Sequence, residues 1–207
     1  RVAATAEKAI NIPPGQDAAL PAGVEVPKVT VPPRAGNDTT HLCVIDQHGN
    51  AVSLTTTLNY GFGSGVVAKG TGVLWNDEMD DFAIAPGVPN VYGVVGSEAN
   101  AIAPGKRPVS SMSPTLLFSA ETGDVTLCVG SPGGPRIPTT VAQALWHKLK
   151  HGFDVQRAID APRIHHQHLP DHTSLEPFAL EPATLTALQK MGHVFKTEMP
   201  WSNATII

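Results

Sequence analysis

The chain has 207 residues, 42% of them hydrophobic and 15% charged, with a formal net charge of −4. That length holds one substantial core or two small domains, and so small and unpatterned a charge offers no footprint for nucleic acid or an anionic membrane. No apolar run reaches the roughly 18 residues that a membrane-spanning helix requires.

The opening "RVAATAEKAIN" reads as the tail of a helix and lacks the basic start and long apolar core of a signal peptide. From there to residue 38 the prolines of "IPPGQDAALPAGVEVPKVTVPPRAGND" remove backbone donors and bias their neighbours away from helix, which predicts an extended connector. At Thr39 the texture changes. "HLCVID" is apolar and β-branched, "QHG" is a turn, and "NAVSLTTTLN" is a second strand. With Gln47, His48 and Gly49 as a three-residue loop, Asp46 pairs with Asn50 and Thr39 falls opposite Thr57. A two-residue loop shifts the pairing by one. A hydroxyl at the first residue of a strand, with another beside it, suits a nucleophile and its support. Threonines are also good strand residues, and at this point both readings stand. Cys43 and Cys128 each sit in an apolar strand-like run and are expected as buried free thiols, a disulfide being the lesser alternative.

The Gly-rich "YGFGSGVVAKG" leads to a short strand at Gly72 to Trp75 and then to the acidic turn "NDEMDDF". Four carboxylates crowd Asp77 to Asp81. Such a run is ordinarily a solvated turn. The flanking "VLW" and "FA", however, set at least one carboxylate against apolar surface, where an unpaired charge is costly and requires a cation. The long irregular stretch up to Pro114 suits a lid, and its "PVSSMSP" carries three hydroxyls fit for turns or for a bound carboxylate.

Strands are expected at Thr115 to Phe118 and Val125 to Val129. "GSPGG" then precedes a helix on which Val141, Leu145 and Leu149 recur every four residues, with Gly152 as its stop. Glycines ahead of a helix let backbone N–H groups approach an oxyanion, although such junctions also serve packing. Neither this segment nor "GFGSG" fits a phosphate-binding pattern. Asp154 caps a short helix ending before Pro162, another helix runs from about Glu181 to Met191, and strands lie near Val194 and Thr205. "RIHHQHLPDH" gathers His165, His166, His168 and His172 without a strong ligand spacing, so no metal is expected. A G-x-S-x-G elbow is absent. Strands before, between and after helices predict a layered fold of α and β elements.

Taken in order, "TTH" at 39–41, "GNAVSLTTTLN" at 49–59, "FGSG" at 62–65, "NDEMDDF" at 76–82, "PGVPNVYG" at 86–93, "KRPVSSMSPT" at 106–115, "GSPGG" at 130–134 and "APRIHHQHLPD" at 161–171 resemble the γ-glutamyltransferase (γ-glutamyltranspeptidase) family of N-terminal nucleophile hydrolases. The resemblance implies an α+β fold, a four-layer αββα sandwich of which this chain supplies about half. It implies that residues 1–38 are the C-terminal end of a large subunit and that 39–207 form a small, catalytic subunit without its usual C-terminal strands. In that family a precursor cuts itself before the first threonine of the motif, here at Asp38–Thr39. Thr39 then serves as nucleophile, and its freed α-amine, with a typical pKa near 8, accepts the hydroxyl proton.

Matched position by position, Thr57 hydrogen-bonds the nucleophile. Asn59, Glu78 and Asp81 hold the α-ammonium of a γ-glutamyl group, Ser110 and Ser111 its α-carboxylate. The N–H groups of Gly133 and Gly134 form the oxyanion hole, and Tyr92 belongs to a lid. The implied reaction is γ-glutamyl transfer from glutathione or a similar donor to water, an amino acid or a peptide, through an ester on Thr39. No cofactor is implied, the partner is the large subunit of the same precursor, and the location is periplasmic or secreted. The family's large subunit supplies an arginine for the substrate carboxylate, so the chain alone is not expected to be an efficient enzyme. Alternatives on the same scaffold are a cephalosporin acylase or a poly-γ-glutamate-processing enzyme; one of another class is an inactive remnant that only binds.

Overall fold

A computed structural model describes residues 39–85 and 87–207. The expected helix tail, the Pro-rich connector and the junction before Thr39 lie outside the described residues. Strands β1 (Thr39–Ile45) and β2 (Ala51–Thr57) form an antiparallel hairpin in which Thr39 stands opposite Thr57, the register expected from a three-residue loop. The Asp46 N–H donates to the Asn50 carbonyl at 2.9 Å, and the Asp46 carboxylate accepts the N–H groups of His48 and Asn50. Gly49 takes the left-handed conformation that closes this loop.

Side chains alternate across the hairpin, as strand geometry dictates. Thr39, His41 and Thr55 are buried on the inner face, whereas Leu42, Val44, Val52 and Leu54 on the outer face are 39–53% exposed. The inner face packs on a second sheet of β3 (Thr115–Phe118), β4 (Val125–Gly130) and β8 (Thr205–Ile206), ordered β3-β4-β8. On its other side that sheet is covered by α1 (Ile137–Leu149) and α2 (Val155–Asp160). Leu127 and Val129 of β4, with Ile137, Val141, Ala144, Ala158 and Ile206, form this core. Each large apolar side chain so buried stabilises the fold by roughly 1.5–3 kcal/mol. The buried stripe of α1 is thus Ile137, Thr140, Val141 and Ala144, with Leu145 packed against the same core; Leu149, in the last turn, is 58% exposed.

The layers therefore run hairpin, sheet, helices, three consecutive layers of an αββα sandwich. No helix covers the outer hairpin face among the described residues. A small third sheet of β5 (Ile164–His165), β6 (Thr173–Leu175) and β7 (Phe195–Thr197) flanks the helices, and α3 (Pro182–Lys190) carries the chain between the parallel strands β6 and β7. Asp154 caps α2 as expected, its carboxylate accepting the Arg157 N–H at 2.8 Å.

Two expectations are corrected. Gly72 to Trp75 is not a strand but contributes one bridge, Val67 to Leu74, because Gly70 and Gly72 turn the chain sharply and no third strand extends the pair. Cys43 and Cys128 are not free thiols: they form a disulfide joining the two stacked sheets, with Cα atoms 5.9 Å apart. Cys43 points inward from β1, and Cys128 occupies the face of β4 turned away from the helices. The two runs are 85 residues apart, and nothing local in either reveals that they stack.

Candidate active site

The site starts at the open end of the hairpin. Thr39 is buried, and its Oγ1 lies 2.8 Å from Thr57 Oγ1. Thr57 Oγ1 also accepts the Asn59 N–H at 2.7 Å, which leaves its own proton to be directed at Thr39. This arrangement requires a chain reversal just after β2, and Asn59 supplies it with φ 72°, a conformation asparagine tolerates better than most residues. Asn59 is 6% exposed, and its amide donates to the Asp77 carbonyl while the Asp77 N–H donates to Leu58. The acidic turn is thereby fastened beside the two threonines.

That turn is 3₁₀ from Glu78 to Asp81. Side chains at i and i+3 eclipse in a 3₁₀ helix, so Glu78 and Asp81 emerge on the same side. Burial, a hydrogen bond with Asp81 and the charges of Asp81 and Asp77 push the Glu78 carboxyl up to about 8. Burial also raises Asp81. Glu78 Oε1 is buried without a partner among the described residues. Asp80 turns elsewhere and accepts the Val91 N–H at 3.3 Å, tying the 87–95 loop to the turn. Two carboxyls confined together need either a shared proton or an added cation.

In that loop, Asn90 Oδ1 accepts the N–H groups of Tyr92 and Val94 at 3.0 Å, and the Tyr92 hydroxyl donates to the Asn59 carbonyl at 2.9 Å. The Tyr92 ring lies against Gly134, where a Cβ would stand 3.3 Å from it. Burial, then the neighbouring carboxylates, push the phenol above its usual range, so it stays a donor. Ser111 Oγ donates to the Gly134 carbonyl at 2.8 Å, while exposed Ser110 accepts the Met112 N–H at 3.2 Å.

Gly133 and Gly134 have φ 137° and 56°, so they turn between β4 and α1 as residues with a Cβ do not readily do. Among the described residues neither of their N–H groups has an acceptor. Behind them His41 donates or accepts at Thr55 Oγ1 over 2.8 Å, and its ring fills the space beside Gly130, where a Cβ would fall 2.1–2.5 Å from the ring atoms. Burial lowers its pKa, which keeps it neutral in this packing.

A cleft of about 400 Å³ brings these parts together. Thr39, Thr57, Asn59, Glu78, Asp81, Tyr92, Ser110, Ser111 and Gly134 line it; Gly133 faces an adjoining cleft instead. The sequence reading missed Asn100. Its amide donates to the Asp81 carbonyl at 2.7 Å and its Oδ1 accepts the Val109 N–H at 3.0 Å, clamping the serine segment to the acidic turn. A lone asparagine in an irregular stretch gives no periodic signal to find it by. The histidine-rich segment does not converge: His165 bonds Thr139 and Gln167, and His166 faces Asp171. The set of metal-type donors that does meet among the described residues is His41, Cys43 and Cys128, and its two sulfurs are joined to each other.

The family described as gamma-glutamyltranspeptidase matches residues 3–207. The chain is 48% identical over 180 residues to a glutathione hydrolase proenzyme of Pseudomonas sp. (strain A14), covering 87% of this chain and 31% of that protein. It is 51% identical over 160 residues to the glutathione hydrolase proenzyme of Escherichia coli (strain K12), covering 77% of this chain and 27% of that one. It thus spans less than a third of either relative. Among solved structures, it is similar to a Helicobacter pylori gamma-glutamyltranspeptidase mutant with a TM-score of 0.77 and 45% identity, covering 81% of this chain and 89% of that one.

Proposed function

The chain belongs to the γ-glutamyltranspeptidase family, and from that premise we propose that it carries the catalytic residues of an enzyme transferring γ-glutamyl groups from glutathione and related donors to water, amino acids or peptides. Cleavage of the Asp38–Thr39 bond frees the Thr39 α-amine, which as an amide has no basic lone pair. The amine takes the Thr39 hydroxyl proton while Oγ1 attacks the γ-amide carbonyl, with Thr57 holding Oγ1 in place. The Gly133 and Gly134 N–H groups receive the tetrahedral oxyanion. As it collapses, the leaving amine takes the proton back and an ester on Thr39 remains, for water or an acceptor amine to open.

The observation that carries this reading is the confined Glu78–Asp81 pair, with an unpartnered buried oxygen, in the same cleft as the Thr39–Thr57 hydroxyl pair. With Asn59 it suits the α-ammonium of a γ-glutamyl group. Ser110 and Ser111 suit the α-carboxylate, a stronger acceptor than the Gly134 carbonyl that Ser111 now meets. A plain dicarboxylic acyl chain, as in a cephalosporin acylase, leaves the carboxyl pair without a counter-ion. The bare outer face of the hairpin fits a further layer from the large subunit of the same precursor. No helix among the described residues is long and apolar enough to cross a membrane. The inter-sheet disulfide favours the periplasm or the exterior as its compartment.

The test is release of the anilide from a chromogenic γ-glutamyl anilide by the protein expressed from its complete gene; no release sinks the proposal. Two finer results are expected. Glu78 is about ten to one protonated at pH 7 if it titrates near 8, and binding an ammonium favours its ionised form. A non-reacting γ-glutamyl analogue should therefore bind more tightly as pH rises from 6 to 8, and Glu78→Gln should flatten that slope. A flat wild-type profile contradicts the role given to Glu78. Thr57→Val keeps the β-branched shape and strand propensity while deleting the hydroxyl. It should fold, by circular dichroism, yet lose turnover equivalent to about 2–4 kcal/mol; near wild-type turnover and cleavage would make Thr57 a strand residue and nothing more.

A further inference from the structure

The Cys43–Cys128 disulfide ties the strand that begins at Thr39 to the strand that ends at Gly130, and its two sulfurs have unlike surroundings. Cys128 is wholly buried, and its Sγ lies 3.6 Å from the Val52 carbonyl oxygen. Cys43 is partly exposed, and His41 Nε2 lies 3.3 Å from its Sγ. A disulfide sulfur carries no proton to offer either neighbour. In the dithiol each sulfur has an acceptor waiting: the Val52 carbonyl for Cys128, the imidazole nitrogen for Cys43. We propose that the pair is an exchangeable dithiol–disulfide, opened and closed through Cys43 with His41 as the base, and that its reaction partners are low-molecular-weight thiols and disulfides of the glutathione type. This goes beyond γ-glutamyl transfer and does not depend on it.

His41 is held in place for that task by Thr55 Oγ1, 2.8 Å from its Nδ1, and by Gly130, which leaves room for the ring. The tautomer that donates Nδ1–H to Thr55 leaves the Nε2 lone pair directed at Cys43. Burial lowers the His41 pKa, so the ring is unprotonated when it meets the thiol. In closing, Nε2 takes the Cys43 proton as Sγ attacks one sulfur of oxidised glutathione. That S–S bond breaks, and the leaving glutathione thiolate recovers the proton from the imidazolium. Cys128 Sγ then attacks Cys43 Sγ. The bond from Cys43 to the glutathione sulfur breaks, and the second glutathione leaves with the Cys128 proton. The chain loses two electrons and two protons while one glutathione disulfide becomes two thiols. Opening is the same path reversed, so a thiol enters at Cys43 there too; burial shuts it out of Cys128.

Excess reduced glutathione should open the disulfide of the full-length protein while its circular dichroism stays native. The protein is used whether or not it is cut at Asp38–Thr39, so the result is separate from the transfer reading. The reduced protein, freed of glutathione, is then mixed with oxidised glutathione, quenched with acid at intervals and mapped by peptide mass. A glutathione adduct on Cys43 should rise and give way to the internal disulfide, and in Cys128→Ser it should accumulate. The adduct should form roughly tenfold faster in the folded dithiol than in the same chain unfolded in urea, the size of the thiolate gain that a neighbouring base brings at pH 7. His41→Gln should remove that advantage. A disulfide that opens only when the chain unfolds overturns the exchange, and an adduct that appears first on Cys128 overturns the point of entry. Wild-type Cys43 that reacts no faster folded than unfolded, or a folded His41→Gln protein that keeps the advantage, removes His41 as the base. The wild-type comparisons decide the matter even where a variant does not fold.

Discussion

Thr39→Ala should leave the full-length protein as one unbroken chain without measurable turnover, while its fold survives. The substitution removes the group proposed to attack both the Asp38–Thr39 bond and the γ-amide. It also deletes the hydrogen bond to Thr57 Oγ1, which at 2.8 Å is an ordinary one and contributes about 0.5–1.5 kcal/mol to stability. That is too little to unfold a hairpin stapled to β4 by the Cys43–Cys128 disulfide. Loss of a nucleophile of this kind lowers kcat by a factor on the order of 10⁵ or more. Thr39→Ser, which keeps a hydroxyl, should still be cut. Gel mobility, circular dichroism and anilide release measured on the same preparations separate these outcomes. A folded Thr39→Ala protein that is cut at this bond and turns over would remove Thr39 from the mechanism.

Asp81→Ala should weaken γ-glutamyl donors far more than glutaryl ones, which have the same acyl chain without the α-ammonium. Losing one charge-assisted contact in a partly desolvated site costs roughly 2–4 kcal/mol, or about 30-fold to 1,000-fold in kcat/KM. The comparison must be a ratio because Glu78 responds as well. Asp81 contributes a hydrogen bond and a charge to the elevation of Glu78, so without Asp81 the Glu78 carboxyl ionises at lower pH and compensates in part. The glutaryl donor feels any general damage to the cleft but not the missing ammonium contact. Equal losses for the two donors would assign Asp81 to structure alone.

How much of this was legible in advance differs from one element to another. The hairpin register was legible to within one residue: a three-residue loop sets Thr39 opposite Thr57, a two-residue loop shifts the pairing by one, and the Asp46 hydrogen bonds around Gly49 go with the former. The caps and termini of the helices were legible for similarly local reasons: Asp154 before α2, Pro182 in the first turn of α3. The acidic turn was legible as a need for a cation, although not as a 3₁₀ turn that pairs Glu78 with Asp81 and aims Asp80 at the Val91 N–H. What escaped was tertiary. The stacking of β1 on β4, which brings Cys43 to Cys128 and His41 to Gly130, joins residues more than 80 positions apart. The clamp at Asn100 sits in a stretch with neither period nor motif. The division of Gly133 and Gly134 between two clefts depends on where the Tyr92 ring comes to rest, and no local pattern records that.

The central claim is that Thr39 becomes a chain terminus, with its freed α-amine proposed as the base for its own hydroxyl. N-terminal sequencing of the chains in active protein purified from the complete gene tests this most directly. Two chains are predicted, one of them beginning Thr-Thr-His at residue 39; activity in a single unbroken chain, or a new terminus at any other residue, would contradict the account.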